Sequence, residues 1–218
     1  MEFKSVMGGT SLMKKPMSVN PQSDPPDLVA MVASRICHDL IGPIGAIVNG
    51  LELMEMAGDM PGPERDLVAD SAESASARLR FFRIAFGAAG DQAIGRSDIE
   101  TLLGQVWRDS RLQVIWHPEG AQPRSAVKLA FLALLCCEAA LPRGGQADVI
   151  EAEGSWTVAA SGDAITMEPQ LWDWLEGAGE VAALIPAKVQ FALLPLLAGQ
   201  AERQLHAAHD ATSLTLRF

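Results

Sequence analysis

Cysteine is scarce and poorly placed for structural work. Cys37, Cys136 and Cys137 are the only three in 218 residues. They form no CxxC pair and no Cys/His spacing that would hold zinc. An odd number without a framework fits reduced cytoplasmic thiols rather than a disulfide scaffold. Histidine is equally thin, with His38, His117, His206 and His209 making up the whole set. That number argues against a metal-dependent phosphohydrolase, which needs several His and Asp ligands around its metals. Asparagine occurs twice, at Asn20 and Asn49. Positive charge is in deficit: 17 Lys and Arg face 27 Asp and Glu, for a net charge of −10 and a pI near 4.8. Nucleic acid and anionic membrane are therefore poor partners. The longest uninterrupted apolar run, Leu129 to Cys137, is half of the roughly 18 residues that span a bilayer. Lys4, Gly8, Gly9, Lys14, Lys15 and Pro16 break up the N-terminus, so no signal core is legible. These absences lead us to expect a cytoplasmic chain that contacts neither membrane nor nucleic acid.

What is present is enough apolar side chain, 49%, to build a real core. The length fits one large domain or two small ones. Residues 1–23 are polar and Met-rich without periodicity, and read as a loose tail. Asp24-Pro25-Pro26-Asp27 then has the character of a helix start, with a capping acid, early prolines and a further acid in the first turn. A first helix is expected from Pro26 to Ala57, with a seam at Val29, Val32, Ile36, Leu40, Pro43, Ile47, Leu51 and Met54. Gly58 to Pro63 turns the chain. A second helix is expected from Pro63 to Ala88, with a seam at Val68, Ala72, Ala75, Leu79, Phe82 and Phe86. The two make an antiparallel hairpin over residues 24–89. A hairpin has one apolar face that it cannot cover, so a homodimer forming a four-helix bundle through residues 26–88 is expected.

After a short linker the pattern becomes mixed α/β over residues 96–218. We expect Ser97 to cap a helix reaching Asp109, a strand at Leu112–Trp116, and a buried helix at Ser125–Leu141 broken by Pro142-Arg143-Gly144-Gly145. A strand pair over 148–152 and 156–160 turns at Gly154. Helices follow near 171–175 and 187–200, the second interrupted by Pro195. Strands over 204–208 and 213–218 form a hairpin around Asp210. Trp172 and Trp174 suit either a core or an interface, and His206 and His209 read as structural.

One stretch departs from helix rules. His38 and Asp39 lie in the middle of the first helix, and Gly42-Pro43 follows one turn later. Glycine and proline weaken or kink a helix interior. Ile36 and Leu40 lie on the seam, and His38 is about 200° and 160° from them around the helix. It therefore faces away from the bundle core. Such a residue is either a solvated surface histidine or one offered to a partner. Asp39 can orient the imidazole or accept its proton, and a neutral imidazole can attack a phosphoryl group. Arg35, one turn earlier, is either a surface cation near the same face or a side chain laid along the helix. Cys37 reads as a helix residue without redox work.

The stretch Arg35-Ile36-Cys37-His38-Asp39-Leu40-Ile41-Gly42-Pro43-Ile44-Gly45-Ala46 resembles the phospho-acceptor box of two-component sensor kinases. There a His-acid pair is followed by Pro five residues after the His. More closely, it resembles the ChpT-type histidine phosphotransferases of alphaproteobacteria. Ile44 to Leu53 continues that pattern, and Leu141-Pro142-Arg143-Gly144-Gly145 is similar to a later segment. The family's Ser before the Pro is Gly42 here. The resemblance implies a dimer of helical hairpins, each followed by an α/β sandwich shaped like a histidine-kinase ATP-binding domain. It implies that the receiver domain of a hybrid kinase donates phosphate from Asp to His38. His38 then passes it to the receiver domain of a response regulator. Mg²⁺ would be carried by the receivers, with no cofactor bound by this chain. His38 and Asp39 are the expected catalytic pair, and Arg35, Ile41, Gly42 and Pro43 the expected partner contacts.

The second domain lacks what an ATP site needs. No Asn lies in it to hold Mg²⁺ against phosphates. Asp148, Asp163, Asp173 and Asp210 are not followed by an Asp-x-Gly-x-Gly pattern. Gly177-Ala178-Gly179 is a weak phosphate-loop signal. We expect this domain to dock a receiver and support the hairpin without binding ATP. Two alternatives stand beside the relay: an autophosphorylating kinase with an atypical ATP site, and a non-enzymatic dimeric scaffold.

Overall fold

The computed structural model describes residues 27–57, 63–88, 90, 92–176 and 184–218. The expected tail, the Gly58–Gly62 part of the turn and Gly177-Ala178-Gly179 lie outside the described residues. Helix α1 spans Leu28–Ala57 and α2 spans Pro63–Ala85. The acid that caps α1 is Asp27, expected one turn inside: its Oδ1 accepts the backbone N–H groups of Val29 at 3.1 Å and Ala30 at 3.0 Å. The pair packs closely along its length. A Cβ on Gly50 would stand 2.3 Å from Val68 Cγ2, so glycine sets the helix spacing there. By length and mean hydropathy, 1.3 over its most apolar part, α1 could cross a bilayer. No uninterrupted apolar run marks it in the sequence, because Arg35, His38 and Asp39 interrupt it. One such helix among the described residues is weak evidence of a span, and the Arg35–Asp39 ion pair lies within it.

Helix α2 stops at Ala85, three residues before the expected Ala88. Cations from the next helix but one take up one carbonyl of its last turn and two just past its end. The Arg124 guanidinium donates to Arg83 O at 3.0 Å and Ala88 O at 3.3 Å, and Lys128 Nζ donates to Gly87 O at 2.7 Å. The expected linker holds a two-residue strand, β1 at Ala93–Ile94. Helix α3 spans Arg96–Val106; its N-cap is Gly95, and Ser97 lies inside the helix. Strand β2 is Leu112–Trp116, β3 is Gln122–Pro123 paired antiparallel with β1, and α4 is Arg124–Ala140. Then come β4 at Gly145–Ala152, β5 at Ser155–Ser161, α5 at Pro169–Leu175, a 3₁₀ turn at Pro186–Lys188, α6 at Gln190–Gln200, β6 at His206–His209 and β7 at Ser213–Arg217.

The sheet has the order β2-β4-β5-β7-β6, parallel only between β2 and β4. Ala147, Val149, Trp156, Val158, Leu214 and Leu216 alternate inward from it, as a sheet with one covered face requires. Helix α4 fills the centre. Val127, Ala130, Phe131, Leu132, Ala133 and Leu134 are fully buried, which is how a helix apolar all round must sit. The turn before β4 needs Gly144, at φ 89°, where a Cβ would lie 2.3 Å from Arg111 O. Pro195 does not interrupt α6. Phe191, Leu194 and Ala198 are buried against the rest of the core and carry the helix past it. Asp210 turns the last hairpin, accepting N–H groups from Thr212 and Ser213, both at 2.8 Å.

The core does not end at the hairpin. Phe81 of α2 stacks on Phe131 of α4 at 4.5 Å and meets Trp107 edge-on at 5.2 Å. Ala77, Phe82, Ile84 and Ala85 are buried with it, whereas Ala72 and Leu79 of the expected seam are exposed. So α2 has two apolar faces: one runs into the α/β core, the other is open.

Candidate functional site

Arg35, His38 and Asp39 occupy one turn of α1, and the spacing of three and four places them on adjoining strips of its surface. Their exposures separate sharply: the His38 side chain is 81% exposed, Arg35 13% and Asp39 12%. Asp39 divides its two oxygens. Oδ1 lies 3.1 Å from His38 Nδ1, and Oδ2 accepts Arg35 Nε at 2.8 Å. An ionised carboxylate has only acceptors, so the tautomer that pairs with it is the one with its proton on Nδ1. In a neutral imidazole that leaves the Nε2 lone pair free and pointed toward solvent.

Below this turn lies a small cleft shared by four helices. Arg35 and Asp39 line it from α1, Arg78 from α2, and Glu138 from α4, with Trp107 closing the end of α3. Trp107 Nε1 donates to Glu138 Oε1 at 2.9 Å. Burial lifts the Glu138 carboxyl above the ordinary Glu range. The Trp107 hydrogen bond and the charges of Arg35 and Arg78 oppose the lift, while the Asp39 charge adds to it. A terminal nitrogen of Arg35, Nη1, donates to the backbone carbonyl of Ala187 in the 3₁₀ turn.

The outward position of His38 is the one expected from the seam count. Ile41, three residues on, shares its face and is 69% exposed. Gly42 is exposed, and a Cβ there would meet nothing within 4 Å. Pro43 is half-buried inside the continuous helix. It has no N–H to give to the carbonyl four residues earlier, which is that of Asp39. The structure places Arg35 differently from a cation standing over the His38 face: its guanidinium is turned inward. Glu138, Trp107, Arg78 and the Ala187 carbonyl were not read as site groups. One signal for Glu138 was available, since it is the only acid in the otherwise apolar run from Leu129 to Ala140.

Residues 96–213 match the model of the histidine phosphotransferase C-terminal domain. The chain is 38% identical over 185 residues to the protein phosphotransferase ChpT of Brucella abortus (strain 2308), covering 80% of this chain and 87% of that one. The chain belongs to the ChpT-type histidine phosphotransferases. A solved bacterial phosphotransferase has the same fold, with a TM-score of 0.71 and 33% identity over 88% of this chain and 95% of that one. The family model covers the α/β part, and the match to the ChpT relative, over 80% of this chain, extends beyond it. The site described above thus lies in a histidine phosphotransferase of two-component signalling.

Proposed function

We propose that this phosphotransferase relays a phosphoryl group through His38 between two receiver domains, from the aspartyl phosphate of a hybrid kinase to the aspartate of a response regulator. The observation that carries the reading is the pairing of an exposed His38 with a withdrawn Asp39. Nε2 of His38 attacks phosphorus in line, an N–P bond forms, and the P–O bond to the donor aspartate breaks to leave its carboxylate. Positive charge develops on the ring, and Asp39 at Nδ1 stabilises it or takes the proton. The second transfer runs the same steps in reverse on the acceptor aspartate. Mg²⁺ belongs to the receiver in this scheme; Asp39, the acid next to His38, has one oxygen on Arg35 Nε and the other beside His38 Nδ1.

Ile41 and Gly42 form the surface that meets the receiver, next to the nucleophile on the outer face of α1, and Pro43, half-buried on the other side of the same turn, loosens the helix beneath them. The active unit is a cytoplasmic homodimer. Ile41, Ile44, Val48, Leu51, Leu67 and Leu79 are exposed apolar residues along the hairpin, and part of that surface suits a four-helix bundle. The α/β domain serves as a support and docking element without ATP-dependent kinase activity. Incubation with a labelled phospho-receiver should label the wild type and leave His38→Ala unlabelled. Equal labelling of both proteins, or none of either, overturns the relay. Saturable Mg-ATP binding in calorimetry would instead favour a kinase.

A further inference from the structure

The His38–Asp39 pair belongs to α1, but what holds Asp39 in place reaches a part of the chain far away in sequence. Arg35 donates through Nε to Asp39 Oδ2 and through Nη1 to the Ala187 carbonyl, 152 residues further along the chain. The side chains of Arg35 and Asp39 are withdrawn together, while His38 beside them is open. A long cationic side chain with no partner keeps its head in water. This one is folded against the 3₁₀ turn that precedes α6, and α1 packs on that turn. Glu138 of α4 shares the cleft and is itself fixed by the Trp107 indole.

We propose that Arg35 is a positioning residue that ties the Asp39 carboxylate to the α/β domain and thereby sets the orientation of the His38 ring. This deepens the relay reading and rests on it: the α/β domain acts on phosphoryl transfer by holding the acid that holds the histidine. With Oδ2 committed to Arg35, Asp39 presents Oδ1 to Nδ1, and Nε2 faces the incoming phosphoryl group. Without Arg35, Asp39 is free to turn, and its charge faces Glu138 with one cation fewer between them. Lysine cannot replace it, because a single ammonium lacks the planar fork that reaches the carboxylate and the Ala187 carbonyl together.

The test uses the full chain as wild type, Arg35→Ala and Arg35→Lys. Nitrogen NMR of labelled histidine reads the His38 tautomer, with the signal assigned by its loss in His38→Gln. Quenched-flow transfer from a labelled phospho-receiver, at rising receiver concentration, separates the saturating rate from the half-saturating concentration. Both variants should lose the Nδ1–H bias of His38. Their saturating rate should fall about tenfold, a part of the roughly hundred- to ten-thousand-fold that a positioned proton acceptor contributes. The half-saturating concentration should stay unchanged. Unchanged nitrogen shifts with an unchanged rate overturn the proposal. So does a raised half-saturating concentration at full rate, which would make Arg35 a docking residue. If Arg35→Ala loses its melting transition, Arg35→Lys, which keeps the stem and the charge, decides the matter. If the wild type takes up no label, the relay fails on its own terms, and the nitrogen shifts still decide the positioning role.

Discussion

His38 and Asp39 are neighbours in sequence with opposite environments, and the proposed chemistry depends on that difference. The imidazole is open to solvent and the carboxylate beside it is not, so in the proposed relay a partner reaches His38 without displacing the acid. Glu138 makes a second contrast. Burial raises its carboxyl above the ordinary Glu range, with the Trp107 N–H, Arg35 and Arg78 pulling down and Asp39 pushing up. A carboxyl whose folded pKa exceeds its unfolded value binds its proton more tightly in the native state. Its contribution to stability is greatest below the ordinary Glu pKa and is lost as pH rises through the raised value. Glu138→Gln keeps an acceptor for Trp107 and removes the titration. Urea unfolding across a pH series should therefore show the variant gaining on the wild type as pH climbs through that window. A difference that stays flat with pH would show that this carboxyl is not desolvated.

Helix α1 carries three interior glycines and a proline, and the structure gives them separate tasks. Gly42 and Gly45 have open space where a Cβ would go, and Gly50 is pressed against Val68. At Gly42 only helix propensity and looseness are at stake, so Gly42→Ala should stabilise the chain by up to about 1 kcal/mol. If the weakened turn around Pro43 is used when the receiver docks, transfer should slow in the same variant. At Gly50 the added methyl meets a β-branched side chain that has few rotamers to retreat into. The helices must part there, and Gly50→Ala should cost on the order of 1 kcal/mol despite alanine's better propensity. Chemical denaturation of the two variants should give opposite signs. The element types were legible in the sequence because apolar periodicity and turn residues are local. The end of α2 was not, since Arg124 and Lys128, some 40 residues away, bond carbonyls at and just past its end.

At the scale of the whole molecule, the hairpin and the α/β part share one core through Phe81, Phe131 and Trp107. The open face of α2 is a different surface, marked by Leu79 at 55% exposure. The two faces predict different failures. Leu79→Asp should leave the melting temperature of the single chain nearly unchanged and convert a dimer into monomers, read by sedimentation velocity. Phe81→Ala should cost about 3–5 kcal/mol, as the loss of a buried aromatic does, and unfold hairpin and sheet in one transition. A wild type that sediments as a monomer at all concentrations would remove the four-helix bundle from the scheme.

The amino-acid sequence determined the outward histidine, its neighbouring acid, the helical hairpin and the run of strands that follows. Each of these rests on spacing within a few turns, where helix and strand geometry convert pattern directly into direction. The same reading left α2 with one seam and Arg35 on the surface. The tertiary structure decided both otherwise, because periodicity reports which face of a helix is apolar and not what covers it. Arg35 is drawn inward by a carbonyl in the 3₁₀ turn, and Phe81 is claimed by α4. Those partners are brought near only when the whole chain has closed around α4, where burying so much apolar surface outweighs keeping the two halves apart.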